Sequence, residues 1–335
     1  MSDRITMRDI GLLAGVSTST VSRALKNSPL IPEATRERIL QIAREQNYRL
    51  DTQARNFRLQ RAGTVAVLFP YDGTSQRLIS DPFYLEITGA ISDALAERGM
   101  DMLLARVPIF DEEWCLRYAL DRRADGIILI DRALYDRSIA TLHDLGAKVV
   151  VWGALIAGHE AISVGGDSLD GAAQAVAHLV ARGRRRIGFV GGFGSMVETD
   201  TRKRGYVAAL SALGLTPDEA LIIDTDFTPR AASAAAHTLL DRAPDLDGIF
   251  ACSDFMAVAV MEALRARGRS VPADVSVVGY DDVPLASYCS PRLTTIRQQT
   301  HEGGKRMVDT LFALIEGKPA QSVVLPVELI VRDST

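Results

Sequence analysis

Between Gly15 and Arg23 the chain reads Gly-Val-Ser-Thr-Ser-Thr-Val-Ser-Arg, and no acidic residue occurs from Leu12 to Leu30. Short hydroxyls let a helix sit close to base edges, and an arginine fork can donate two hydrogen bonds to a guanine in a major groove. The same residues also suit an ordinary small helical bundle with a neutral face. Thr6 followed by Asp9 is a capping pair that starts one helix, with Ile10, Leu13 and Ala14 expected on its inner face up to Gly15. Ser17 can cap a second helix with Val21 and Leu25 inward, so two short helices meet across a tight turn, the sequence form of a helix-turn-helix. A third helix is expected from about Pro32, carrying Ile39, Ile42 and Ala43, and Tyr48 closes the segment. Candidate DNA contacts in this head are Thr6, Ser17, Thr18, Ser19, Thr20, Ser22, Arg23 and Asn27.

The next stretch, residues 49–62, holds four arginines and few core-forming residues. It reads either as a plain linker or as a short helix over Thr52–Leu59 that forms on DNA. In the second case Arg55 and Arg58 contact phosphate and Phe57 wedges between base steps in the minor groove. The charge is divided accordingly. The first 62 residues carry eleven Lys and Arg against six Asp and Glu, leaving 27 against 36 in the remainder of a chain whose net charge is -4. A basic head on an acidic body fits a head that meets phosphate and a body that does not.

From Gly63 short apolar runs alternate with helical spacing. Strands are expected at Thr64–Pro70, Met102–Ala105, Gly126–Asp131 and Lys148–Trp152, and again at Arg186–Gly191, Leu221–Asp224, Gly248–Ala251 and Val275–Gly279, with a last strand over Ser322–Val331. Two such series predict an α/β core of two doubly wound parallel-sheet subdomains, with ligands bound beyond the carboxyl ends of the strands. The residues there include Tyr71, Asp131, Trp152, Phe193, Phe227, Ser253, Asp254 and Asp281. Aromatic faces that stack on a flat ring, beside carboxylates that accept hydroxyl protons, suit a sugar. About half of such residues are expected to cap helices instead.

A chain of 335 residues with 47% hydrophobic residues is long enough for two or three domains with sizeable cores. Cys115, Cys252 and Cys289 lie far apart and form no CxxC pair, so neither a metal site nor a disulfide framework is expected. The first residues lack an apolar secretion segment and no run is apolar enough to span a membrane, so a cytoplasmic protein is expected. No HExxH, GxSxG or GxxxxGK[ST] pattern occurs, which argues against an enzyme, and no cofactor is called for.

The strings ITMRDIGLLAGVSTSTVSRALKN, IPEATRERI and NYRLDTQARNFRL resemble the headpiece of the lactose/galactose repressor (LacI/GalR) family. Later strings, among them DPFYLEITGAI, IFACSDFMAVAVMEAL and VPADVSVVGYDDV, resemble that family's effector core, which is similar to periplasmic sugar-binding proteins. The resemblance implies a three-helix headpiece over 1–48, a hinge helix within 49–62, and an effector-binding and dimerisation core over 63–335. In that core the first subdomain spans about 63–163 and 295–321, and the second about 164–294 and 322–335. It implies base reading by Thr18, Ser19 and Arg23, with Phe57 where the family inserts a Leu. It implies effector contacts from Phe83, Tyr84, Asp167, Arg202, Phe227, Ser253, Asp254 and Asp281. The expected function is a homodimeric, operator-binding regulator, a repressor, controlled by a sugar or sugar derivative. A sugar-binding transport protein is the alternative.

Overall fold

The computed structural model describes residues 5–25, 27–46, 48, 62–71, 77–109, 111–121, 123–131, 137–155 and 161–335. The chain divides into two compact units, Met1–Arg61 and Ala62–Thr335. Arg55, Phe57 and Arg58, and with them the hinge helix, lie outside the described residues.

The first unit holds α1 (Met7–Ala14), α2 (Thr18–Leu25) and α3 (Glu33–Glu45). The Thr6 amide donates to Asp9 Oδ2 at 2.9 Å, and the Asp9 amide donates to Thr6 Oγ1 at 3.3 Å. Both halves of the capping box are therefore present. Hydrogen bonding by Thr6 holds the Asp9 carboxyl below its usual range. Gly15 ends α1 at φ 62, a left-handed position that costs a glycine nothing. Ile10, Ala14, Val21, Ala24, Ile31 and Ile39 form the buried centre. Leu13 does not join them. It is 58% exposed, because one residue before Ala14 is 100° around the helix from the buried stripe. Leu25 is only half-buried, and Ala24 takes the inward place expected of it. So few buried side chains make a thin core, and local caps matter more. Thr6→Ala is expected to lower the head's stability by about 0.5–2 kcal/mol, read as faster amide hydrogen exchange in α1 while the second unit is unchanged.

The second unit begins one residue earlier than expected, since the amides of Ala62 and Gly63 both donate to the Asp125 carboxylate, at 2.7 and 2.8 Å. Its elements follow in order. They are β1 (Thr64–Tyr71), α4 (Pro82–Ala96), β2 (Asp101–Pro108), α5 (Glu113–Ala119), β3 (Gly126–Ile130), α6 (Ser138–Asp144), β4 (Val149–Trp152) and β5 (Ile162–Gly166). Next come α7 (Ser168–Ala181), β6 (Ile187–Gly191), α8 (Val197–Ala212), β7 (Ile222–Asp224), α9 (Pro229–Arg242), β8 (Gly248–Ala251), α10 (Asp254–Ala266) and β9 (Ser276–Asp281). The last are α11 (Leu285–Tyr288), β10 (Thr294–Arg297), α12 (Thr300–Ile315), β11 (Val323–Leu325) and β12 (Glu328–Ile330).

Two six-stranded sheets result, in the orders β11-β5-β4-β3-β1-β2 and β12-β10-β9-β8-β6-β7. All pairings are parallel except β10 with β12. Parallel strands are buried on both faces, and β1 shows it residue by residue. Val65, Val67 and Phe69 enter the cluster under α4 and α12, while Ala66 and Leu68 enter the one under α5.

Strand membership shifts the expected subdomain borders. β5 pairs in the first sheet, so the first crossing follows Gly166 and not residue 163. β10 pairs with β9, which moves residues 295–297 into the second subdomain. The expected strand over Ser322–Val331 is two strands: β11 pairs in the first sheet and β12 in the second. Pro326 lies between them and has no amide to continue a ladder. Three segments thus join the subdomains, at β5–α7, β10–α12 and β11–β12.

Candidate functional site

In the head, the Ser17 hydroxyl accepts from the Thr20 amide at 3.2 Å and lies 2.8 and 2.9 Å from the hydroxyls of Ser19 and Thr20. Ser17 and the half-buried Thr20 therefore serve the start of α2. Thr6 is committed to its capping box. Thr18, Ser19 and Arg23 are exposed, Ser22 is half-buried, and the exposed Asn27 sits at φ 55 just beyond the helix. The result is one hydroxyl-rich face that ends in a guanidinium.

In the second unit the carboxyl ends of the two sheets face each other across a cleft. Two cavities open there, with about 310 and 380 Å³ of empty space. The inner one is lined by Arg77, Phe83, Asp131, Trp152, Met196, Glu198, Arg202, Phe227 and Asp281. The outer one is lined by Pro70, Tyr71, Arg77, Tyr84, Ile109, Phe193, Ser195, Met196 and Phe227. Nine of the twelve residues proposed from the sequence therefore reach the cleft: Tyr71, Phe83, Tyr84, Asp131, Trp152, Phe193, Arg202, Phe227 and Asp281.

The other three do not, and each has a structural task. Ser253 caps α10, its hydroxyl accepting from the Met256 amide at 3.3 Å. Asp254 accepts from the Thr295 hydroxyl at 2.5 Å and from the Val283 amide at 2.9 Å, tying β10 and the loop after β9 to the start of α10. Asp167 caps α7 by accepting from the Asp170 amide at 3.0 Å.

Arg202 Nη1 donates to the Cys252 carbonyl at 2.7 Å, and its guanidinium lies 3.6 Å from the centre of the Tyr280 ring. Arg202 Nε has no hydrogen-bond partner among the described residues. Asp281 Oδ1 is 4.0 Å from Arg202 Nη2 and accepts from Gln298 Nε2 at 2.7 Å. Burial pushes the Asp281 carboxyl up to about 7 even though Arg202 works the other way. Phe227 holds φ 62, and its ring lies so close to Gly192 that a Cβ there would stand 1.9 Å from the ring edge. Glycine at 192 is what admits the ring to the cleft wall. On the opposite side, Asp131 at φ 68 accepts from the Tyr84 hydroxyl at 2.6 Å.

Arg77 and Glu198 were not singled out in the sequence. Glu198, in the first turn of α8, accepts from the Ala154 amide at 3.0 Å and so bridges the two subdomains. Its second carboxylate oxygen has no partner among the described residues. Gly153, at φ 151, makes room for the bridge, since a Cβ there would stand 2.2 Å from Glu198 Oε1. Burial, reinforced by Asp131, raises the Glu198 carboxyl to about 7. Among the described residues no cluster could hold a metal ion, and no helix is long and apolar enough to cross a membrane.

Residues 6–51 match bacterial regulatory proteins of the lacI family, and residues 176–335 match the periplasmic binding protein-like domain. The chain is 37% identical over 337 residues to the HTH-type transcriptional regulator CelR of Thermobifida fusca, covering 99% of this chain and 98% of that one. The chain belongs to the lacI family. It is also 33% identical over 335 residues to the transcriptional repressor CytR of Escherichia coli strain K12, covering 98% and 96% of the two chains. A solved CelR–cellobiose complex aligns at a TM-score of 0.76 and 35% identity over 99% of this chain and all of that one. The lac repressor dimer bound to operator and the anti-inducer ONPF aligns at 0.86 and 25% identity over 99% of each. This lacI-family protein is a DNA-binding transcriptional regulator, and the transport-protein alternative falls with the match of its head and of its full length to regulators.

The two raised carboxyls make the regulator's stability depend on pH. Their folded pKa values, near 7, lie above the ordinary values of 4.5 and 3.8, so between those limits the folded state binds more protons than the unfolded one. Their contribution is complete below about pH 4 and is lost as pH rises through about 7. Glu198→Gln is expected to stabilise the protein at pH 8 by about 1–3 kcal/mol and to flatten this slope, as read from chemical denaturation at pH 5 and pH 8.

Proposed function

We propose that this regulator is a cytoplasmic, non-enzymatic repressor that binds a palindromic operator as a homodimer and is controlled by an uncharged sugar in the cleft. The observation that carries the effector class is the inner cavity. Phe83, Trp152 and Phe227 line it together with Asp131, Glu198, Asp281, Arg77 and Arg202. Aromatic faces hold a pyranose by stacking, carboxylates accept its hydroxyl protons, and a guanidinium donates to its oxygens. Three carboxyls beside two guanidinium groups leave no surplus of positive charge for a phosphate group. The solved complex of CelR with cellobiose adds to this reading.

Thr18, Ser19 and Arg23 are the proposed base readers, because they are the exposed polar side chains of α2. Ser17 and Thr20 support the helix, and the basic head supplies phosphate contacts. Effector binding alters operator affinity through a difference in affinity between two arrangements of the subdomains. Calorimetric titration of the full-length protein with a panel of mono- and disaccharides and their phosphates tests the effector class. Saturable binding of a neutral sugar is the expected result. Binding of phosphorylated sugars alone would overturn it.

A further inference from the structure

Arg77 and Glu198 each reach across the cleft to the opposite subdomain. Arg77 of the first lies over the Phe227 ring of the second, its guanidinium 4.3 Å from the ring centre. Glu198 of the second reaches back to the first, where Oε1 accepts from the Ala154 amide at 3.0 Å. Of the two, Glu198 is the one that can change charge near neutral pH, since Tyr84, Asp81 and Asp131 keep the Arg77 guanidinium cationic against its burial. Glu198 is 6% exposed, and Oε2 has no hydrogen-bond partner among the described residues. The other charged groups lining its cavity are Arg77 and Asp131 from the first subdomain and Arg202 and Asp281 from the second. Both cations are committed elsewhere. Arg77 Nη1 pairs with Asp131 at 3.1 Å, and Arg202 donates to the Cys252 carbonyl and lies 4.0 Å from Asp281. Burial and the charge of Asp131 favour the neutral acid at Glu198, and they outweigh the Ala154 amide and Arg202, which favour the carboxylate.

We propose that Glu198 is a proton-controlled latch between the subdomains, holding the cleft closed as the neutral acid and releasing it on ionisation. In the closed arrangement a carboxylate would be buried with one oxygen unpaired and Asp131 lining the same cavity, a costly combination. When the subdomains part, water solvates Glu198 and the distance from Asp131 grows, so ionisation costs little there. Closure therefore takes up a proton between the carboxyl's ordinary value of 4.5 and its value of about 7 in the closed cleft. Rising pH through about 7 shifts the chain toward the parted arrangement. Gly153, at φ 151, is the other half of the device, because a Cβ there would stand 2.2 Å from Glu198 Oε1 and push the carboxyl off the amide. Effector control rests on the balance between two arrangements of the subdomains. The latch makes that balance depend on pH, whatever the effector is.

The test is hydrogen exchange of the Ala154 amide in the full-length protein at about pH 6 and pH 8, corrected for the intrinsic exchange rate. Protection of this amide is expected to fall about tenfold between the two, the change that one carboxyl titrating near 7 permits. Glu198→Gln keeps an acceptor and removes the charge, so there the fall is expected to be less than about twofold. In Glu198→Ala and in Gly153→Ala protection is expected to be lost at both pH values while the amides of β3 stay protected. Either alanine variant carries the comparison if the other does not fold. Acrylamide quenching of Trp152, in a Trp114→Phe background, reports on the cleft itself, because Trp152 lines the inner cavity. It is expected to rise with pH in step with the loss of Ala154 protection. Equal falls in the unsubstituted protein and in Glu198→Gln would assign the pH dependence to another acid, such as Asp281, and overturn the proposal. So would Ala154 exchange that matches β3 in every protein, since the bridge would then open only when the core unfolds. Trp152 quenching that ignores pH would confine the release to the loop after β4 and overturn it as well.

Discussion

Replacing Arg202 by methionine is expected to weaken the effector's hold on the protein at least about tenfold while leaving operator binding without effector largely unchanged. The guanidinium is buried over Tyr280, holds the Cys252 carbonyl, and keeps Nε without a hydrogen-bond partner among the described residues. Hydrogen bonds to a charged group contribute about 1.5–3 kcal/mol, so effector affinity should fall by at least about tenfold. Methionine preserves much of the packed volume, but it leaves Asp281 without its nearest cation. Loss of that cation pushes the Asp281 carboxyl further up. Calorimetry for the effector and fluorescence anisotropy for DNA separate the two effects. A parallel loss of operator affinity would mean that Arg202 supports the fold of the core and not the control of it.

Replacing Arg23 by alanine is the second large effect. The side chain is exposed at the last turn of α2, and removing it should cost about 1–3 kcal/mol on operator DNA and little on random DNA. The comparison is internal to one protein, so differences in folding or concentration cancel. An equal loss on both DNAs would make Arg23 a phosphate contact that positions α2 without reading sequence. Either result is best read at two salt concentrations, because phosphate contacts alone change the salt slope.

The folding pattern was largely legible because periodicity carries it. Apolar runs marked β1, β3, β4, β6 and β8, and Thr6, Asp9, Gly15 and Ser17 marked the turn of the head. β5 escaped notice because Ile162–Gly166 ends in two glycines and reads as a loop. The division of the last strand at Pro326 depends on which sheet edge each half meets, a long-range choice that composition does not record. Within the cleft, strand ends pointed to Tyr71, Asp131, Trp152, Phe193, Phe227 and Asp281, and the family resemblance to Phe83, Tyr84 and Arg202. Ser253, Asp254 and Asp167 line neither cavity, since Ser253 and Asp167 cap helices and Asp254 holds Thr295 and the Val283 amide.

The two omissions have a different cause. Glu198 looks like an ordinary acid in the first turn of a helix, and only the approach of Ala154, 44 residues earlier in the chain, gives it a bridging role. Arg77 lies in a polar loop with no period, and its partner Asp131 is 54 residues away. Interactions made across long stretches of chain leave no local trace in a sequence.

In the proposed function a sugar in the cleft controls what the head binds. The most direct measurement is an anisotropy titration of the full-length protein on an operator selected from random DNA, repeated with each sugar that binds by calorimetry. The expected result is tight, salt-sensitive binding to a palindrome, shifted by about 1–3 kcal/mol by at least one neutral sugar, with at least about tenfold more sugar needed in Arg202→Met. Specific operator binding that no cleft-bound sugar alters would contradict it.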